Sequence, residues 1–287
     1  DKTVLLQIVR DRLDGHHIGD RVLYREVFKA VITPDFMYTR LRSNPPLDGK
    51  EVDYYLAGEN EVAIFRVPGD IKFLYHITPE EFKLKEDEYE LLDLARNVLA
   101  AHRPRGEEFL EPSRMRETFY NIGRDLIDEL AKNKGYNVPF ERIEKLARIL
   151  VRYTVGFGLI EALLRDKGVQ DVTINSPVGG SPMFLVHQDY GDCYTNVTPS
   201  PDDAESWATK FRLLSGRPLD EANPVLDTEI IVPGARGRAA IMTRPLSPEG
   251  LSFALRRHRE KPWTLPLFMN NRMISPLAAG LVSFLID

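Results

Sequence analysis

One segment of the sequence concentrates groups that could hold phosphate. Between Gly234 and Lys261 the chain carries seven basic residues against two acidic ones, although its overall net charge is −5. Guanidinium groups bind phosphate oxygens through paired donors of fixed geometry. Arg238 begins one strand-like run and Arg256 ends another, so both could project from one sheet edge. The alternative is a solvated basic rim that makes surface ion pairs, with partners such as Asp220, Glu221 or Asp227.

Other catalytic constellations are missing from the sequence. It contains no G-x-x-x-x-G-K-[ST] phosphate loop, no G-x-G-x-x-G and no H-E-x-x-H. Gly179-Gly180 lies between two strand-like runs, which favours a hairpin turn over a phosphate cradle. His76 and His187 stand in strand patterns without a second ligand nearby, which favours structural roles over metal binding. Cys193 is the single cysteine, which excludes a disulfide framework and a thiolate zinc site.

The composition is that of a globular protein. Hydrophobic residues make up 43% of the chain and charged residues 28%, enough apolar material for a core. A net charge of −5 does not attract nucleic acid or anionic lipid, so any anion site must be local. No stretch approaches the ~18–20 consecutive apolar residues that span a bilayer. These features predict a cytoplasmic protein.

The elements that must position the arginines fall into two groups. Strand-like runs cluster at 54–77 and again at 169–256, and two amphipathic helical patterns lie between Pro112 and Tyr153. A polar, proline-bearing stretch at 102–108 reads as a linker. The sequence therefore predicts an α+β fold in two parts, the second with helices packed on an antiparallel sheet.

Three helix starts are marked by a hydroxyl residue followed by proline, at Thr78-Pro79, Ser200-Pro201 and Ser275-Pro276. After Thr78-Pro79, Glu81 completes the pattern of a capping box. The last start opens a capped apolar helix on which the sequence stops. We interpret that ending either as a truncation or as a chain that continues into another domain.

A series of motifs in the second half resembles those of one family. Residues 156–166 (GFGLIEALLRD) resemble a G-x-G-x-I-E-x-L-L-x-D segment, and residues 171–175 (DVTIN) a D-I-x-I-N strand. Five further segments of that family have counterparts here. They are S-G-R-P-L at 215–219 (SGRPL), P-x-L-D at 223–227 (NPVLD), R-V-x-x-I at 238–241 (RAAI), S-F-x-I-R-K at 252–257 (SFALRR) and P-x-T at 262–264 (PWT). From about Val151 to Phe268 the chain thus resembles the ATPases of type II secretion, type IV pili and archaella. Its first ~100 residues look most like the archaeal branch, a resemblance of sequence alone.

The resemblance implies that three parts of the chain have different roles. Residues 1–105 would form a small α+β docking domain, residues 106–270 a second domain that caps the nucleotide site, and residues 271–287 a linker helix. A RecA-like ATPase domain would follow, outside this sequence. In such proteins, arginine side chains of the second domain extend toward the bound nucleotide. The motifs carry this phosphate-contact role to Arg238 and Arg256, with Arg217 and Arg257 as secondary candidates.

The resemblance also implies cofactors and partners. ATP and Mg²⁺ would be bound by the full-length protein, while this chain, with no catalytic residue and no metal ligand, should be inactive alone. The partners would be its own C-terminal ATPase domain, neighbouring subunits of a hexamer and an inner-membrane platform protein, without nucleic acid. The protein would lie peripherally at the inner face of the cell membrane. The alternatives are a non-enzymatic docking adaptor and a stand-alone ligand-binding module without a motor domain.

Overall fold

The computed structural model describes residues 39–101, 112–259 and 263–286. Eleven strands and seven helices fold within these ranges. The strands are β1 (Arg40–Leu41), β2 (Lys50–Ala57), β3 (Asn60–Arg66), β4 (Phe73–Thr78), β5 (Val169–Ile174), β6 (Phe184–His187), β7 (Gly191–Thr195), β8 (Val197–Thr198), β9 (Val225–Val232), β10 (Ala235–Met242) and β11 (Ser252–Arg257). The helices are α1 (Glu86–Ala101), α2 (Pro112–Lys134), α3 (Phe140–Thr154), α4 (Leu159–Arg165), α5 (Pro201–Ser215), α6 (Leu265–Asn270) and α7 (Pro276–Ile286).

Nine of the strands form a single sheet in the order β2-β3-β4-β7-β6-β5-β11-β10-β9. Neighbouring strands are antiparallel except β4 and β7, which pair in parallel. The short strands β1 and β8 form a separate antiparallel ribbon. This architecture confirms the predicted α+β class, with helices packed on a largely antiparallel sheet.

At the β9 end of the sheet, one face packs on helices, and the other, called the open face, is left uncovered by the residues that the structure describes. In β10 the side chains of Ala239 and Ile241 are buried, whereas the alternate residue Arg238 is exposed. Alternate residues of a strand point to opposite faces, so this pattern decides which face meets the core. On the covered side, Phe253 of β11 meets Trp207 of α5 edge-on, with ring centroids 6.0 Å apart.

Two of the predicted helix starts are confirmed. Ser200 caps α5 through its hydroxyl, which accepts a bond from the Asp203 backbone N–H at 3.1 Å, and the Asp203 side chain completes a capping box. Ser275 Oγ likewise accepts from the Ala278 N–H at 3.1 Å at the start of α7. Within the described ranges, no helix combines the length and apolar character needed to cross a bilayer.

The third predicted start, Thr78-Pro79, is wrong as a helix cap. It opens only a 3₁₀ turn at Glu80–Lys83 without a side-chain cap, and α1 begins at Glu86. The physical reason is that Glu80 and Glu81 point into the core. There the Arg152 guanidinium donates to Glu80 Oε1 at 2.5 Å and to Glu81 Oε2 at 3.0 Å. The buried ion pair replaces the local capping bonds that the sequence pattern predicts.

The strands of the two predicted domains belong to the same sheet. β4, from the first segment, pairs with β7, from the second. Close by, the Tyr55 and Tyr75 hydroxyls donate to the buried Asp166 carboxylate at 2.6 and 2.7 Å. The predicted boundary near residue 105 and the linker at 102–108 lie outside the described residues. The domain division therefore stays a prediction.

Acid should weaken the contact between Glu80 and Arg152. Burial alone would raise the pKa of Glu80, but hydrogen bonds involving Glu59, Arg152 and Lys145, together with the Arg152 charge, lower it to about 2. Because the folded-state pKa lies below the ordinary value of 4.5, this contribution to stability is present above that value. It is lost as pH falls toward 2.

We expect Glu80→Gln to remove part of the pH dependence of stability in this range. Urea unfolding of wild type and variant at about pH 5 and about pH 3 measures the difference. Glu205→Gln, which alters an exposed carboxylate of α5, should keep the wild-type profile. Parallel profiles for wild type and Glu80→Gln would show that Glu80 does not contribute.

Candidate anion-binding site on the open sheet face

Arg238 and Arg256 are direct cross-strand partners on β10 and β11. Both side chains leave the open face of the sheet, with 67% and 75% of their surface exposed. They are held there because the alternate residues Ala239 and Leu255 are buried on the opposite face. Directly opposed residues have Cβ atoms about 4.5–5.5 Å apart. The structure thus brings together the two arginines that the motifs single out.

The arginine pair is flanked by carboxylates on the two outer strands. Arg256 Nε donates to Asp171 Oδ1 of β5 at 2.6 Å. Arg238 Nε donates to Asp227 Oδ1 of β9 at 2.8 Å, and its Nη2 donates to Asp227 Oδ2. The hydrogen bond from Arg238 lowers the pKa of the Asp227 carboxyl, so it stays ionised. A row of four charges therefore crosses the sheet, with a carboxylate on β5, an arginine on each of β11 and β10, and a carboxylate on β9.

The terminal groups of Arg256 remain available for a ligand. Only its Nε is bound to Asp171, and neither Nη group makes a hydrogen bond to any residue that the structure describes. The hydrogen bond to Asp171 raises the pKa of Arg256, while the neighbouring Arg238 charge acts to lower it, as expected for like charges directly opposite each other. Exposed ion pairs stabilise a fold by only about 0–1 kcal/mol. An anion between the two guanidinium groups could therefore displace the carboxylates at little energetic cost.

Next to the arginine pair lies a shallow depression of about 470 Å³. Ala240 and Ala254 are directly paired on the same face, two residues along each strand from the arginines. Thr173 of β5 extends this floor. These small side chains leave space beside the guanidinium groups. The arrangement can receive a flat or extended group whose anionic end meets Arg238 and Arg256.

The two secondary candidates do not join the arginine pair in the same way. Arg217 is exposed after α5, and its Nη1 donates to the Asp227 backbone carbonyl at 3.3 Å, beside the carboxylate that holds Arg238. Arg257 is buried on the helix-covered face, where its Nε donates to the Leu164 carbonyl at 2.9 Å near the end of α4. The structure therefore brings Arg217 to the margin of the site and keeps Arg257 on the other side of the sheet.

The surface ion pair proposed as the alternative is also present in part. Asp227 does pair with Arg238, whereas Asp220 accepts bonds from the backbone and side chain of Asn223. Asp171 was not predicted as the partner of Arg256, although it opens the DVTIN motif. The signal that could have identified it is a single acidic residue in an otherwise apolar and neutral strand. The phosphate-contact role of the arginines stays a prediction.

The fold and site define an α+β protein with an arginine pair on an open sheet face. No model of a known protein family matches the chain. The uncharacterized protein MJ0900 of Methanocaldococcus jannaschii is 29% identical over 137 residues, 47% of this chain and 24% of that protein. The uncharacterized protein MJ1288 of the same organism is 30% identical over 84 residues, 29% of this chain and 32% of that protein. The matches thus span about a quarter and about a third of these relatives.

One solved structure with partial similarity is the VirB11 ATPase from the Brucella suis type IV secretion system, in complex with sulphate. It is 19% identical, with a TM-score of 0.33, over 44% of this chain and 36% of the VirB11 chain. A TM-score at this level does not establish a shared fold.

Proposed function

We propose that this chain is the N-terminal, nucleotide-sensing region of a secretion or pilus-assembly ATPase. In this proposal Arg238 and Arg256 contact the phosphates of ATP, while a separate ATPase domain holds ATP and Mg²⁺. The observation that carries the proposal is the exposed arginine pair, in which Arg256 has both Nη groups unbound among the described residues. The motif resemblance between Val151 and Phe268 supports the same role.

The chemistry of the proposal follows from the charge on the transferred phosphoryl group. Phosphoryl transfer is catalysed mainly by positioning and by neutralising that charge. An arginine supplied from a separate domain neutralises it only when the domains close. The nucleotide state then sets the domain position, and a ring of subunits can convert this position into mechanical work. Neighbouring subunits and a membrane platform protein are the partners in this proposal.

The site itself can be tested with this chain alone. We expect ATP to bind weakly, with a dissociation constant of the order of millimolar, because the chain supplies only part of a phosphate site. In an NMR titration the Nε–Hε signals of Arg238 and Arg256 should shift first. The double variant Arg238→Ala/Arg256→Ala should lose these changes.

Arg236→Ala is the matched control, since Arg236 lies on the same strand and face and pairs with Glu229 at 2.9 Å. It should retain ATP binding. Equal loss in the control and the double variant would show a diffuse basic field. An unchanged affinity in the double variant would place nucleotide binding elsewhere and overturn the proposed site.

A further inference from the structure

A second pocket lies on the helix side of the fold, where α2, α3 and α4 meet the β9–β10 turn. Its volume is about 440 Å³, within the range of small-molecule sites. Tyr120 of α2, Val151 of α3 and Pro233 of the turn give it largely apolar walls. Arg148 and Arg165 are two of its charged lining residues. The pocket thus combines an apolar wall with guanidinium groups.

A third arginine in the pocket, Arg116, already has a partner. Its Nη1 and Nη2 donate to the two oxygens of Glu161, at 3.2 and 2.5 Å. Glu161 is fully buried and also accepts the Phe157 backbone N–H at 2.9 Å. This pair is therefore internally neutral and holds the α2 side of the pocket in place.

Arg148 and Arg165 differ from Arg116 because neither makes a hydrogen bond or an ion pair with any part of the chain that the structure describes. Arg165 is half-buried at the end of α4. Burial, and then the nearby Arg152 charge, lower the pKa of Arg165. A guanidinium removed from water without a partner is unfavourable. The charges of Glu161, Glu80 and Glu59 partly offset this cost, but none of these carboxylates makes a hydrogen bond or an ion pair with Arg165 among the described residues. The rim residue Glu117 is exposed and makes no ion pair among them either.

We propose that this pocket binds a small molecule that carries a phosphate group and an apolar portion. Arg148 and Arg165 would hold the phosphate oxygens, and Tyr120, Val151 and Pro233 would contact the apolar portion. Phosphate is favoured over a carboxylate because a dianion balances two guanidinium charges at once. This inference does not rest on the proposed function, since the pocket lies away from the open sheet face.

Phenyl phosphate is a suitable probe because it joins both chemical features. Calorimetry with the whole chain should show saturable binding, at least about fivefold tighter than inorganic phosphate and than benzoate. Arg148→Gln and Arg165→Gln should each weaken it at least about tenfold. Arg124→Gln should leave it unchanged, because Arg124 is an arginine of α2 that pairs only with its neighbour Asp125 among these residues.

The outcomes separate this pocket from the sheet-face site. Arg238→Ala/Arg256→Ala should bind phenyl phosphate as wild type does. Loss of binding in that double variant alone, or equal weakening in Arg124→Gln, would overturn the proposal. So would the absence of saturable binding up to about 10 mM, or benzoate binding as tightly as phenyl phosphate.

Thermal unfolding gives a second readout. Arg165→Met should raise Tm in the absence of ligand, because it removes a partly desolvated charge that makes no ion pair within the described ranges, and it keeps the apolar stem. It should also abolish the stabilisation that phenyl phosphate gives to the wild type. If Arg165 were only structural, the substitution would lower Tm, and that result would contradict a binding role.

Discussion

Replacing Arg152 by alanine should lower the free energy of unfolding by about 3–5 kcal/mol. Its side chain is 1% exposed and binds Glu80 and Glu81, which are themselves 4% and 0% exposed. Truncation leaves two buried carboxylates without their guanidinium, in addition to a cavity. Chemical denaturation followed by circular dichroism measures the loss.

Arg148→Ala is a matched control, one helical turn earlier on α3. Arg148 is exposed, so its loss should change stability by no more than about 0.5 kcal/mol. The triple variant Arg152→Met/Glu80→Gln/Glu81→Gln should recover much of the loss, because no buried charge remains unpaired. A loss below about 1 kcal/mol in Arg152→Ala would show that the cluster is not a main support of the fold.

The second large effect concerns catalysis in the complete ATPase that the proposed function requires. There, Arg256→Ala should reduce ATP turnover about 10²–10³-fold, the usual effect of losing one charged donor in a closed site. The Tm of this chain should hardly change, since 75% of the Arg256 side chain is exposed and its loss opens no cavity. Phosphate release at saturating Mg-ATP measures turnover.

Two controls flank this substitution. Arg236→Ala removes a neighbouring exposed arginine with its own carboxylate partner, and Arg259→Ala removes one that stacks on Trp263 at 5.0 Å. Both should retain most of the turnover. If all three variants lose activity equally, and only at low salt, the basic cluster acts as a diffuse field. A drop in Tm of about 5 °C or more in Arg256→Ala would indicate a structural role.

Much of the local structure was predictable because it depends on neighbouring residues. The Ser200 cap, the Ser275 cap and strand β5 at Val169–Ile174 follow from short patterns that the structure confirms. Gly179-Gly180 also lies in the loop that joins the antiparallel strands β5 and β6, as its composition indicates. These features need no knowledge of distant parts of the chain.

Features that depend on distant residues were not predictable. Glu81 binds Arg152 across 71 positions and Asp171 binds Arg256 across 85. No local pattern indicates that a glutamate after Pro79 turns inward to a buried arginine. Strand β9 was also missed, because its exposed acidic residues interrupt an apolar run, although the Pro233-Gly234 turn after it is a hairpin signal.

The same limit applies to the candidate site. The sequence indicates that Arg238 and Arg256 could share a sheet edge, but their direct pairing depends on the register of β10 against β11. A loop of several residues joins these strands, so turn geometry alone does not determine that register. The burial of Ala239, Ile241, Phe253 and Leu255 selects it.

The continuous sheet has a mechanical consequence. At about 4.8 Å between strands, nine strands span roughly 40 Å from β9 to β2. Because β4 pairs in parallel with β7, the hydrogen bonding between neighbouring strands continues across this whole span. If an anion draws the β9–β11 end inward by a rotation of about 10°, the far edge at β2 sweeps through roughly 7 Å over that span. A small rotation at the end that carries the arginines would then produce a much larger displacement of whatever is attached beside β2.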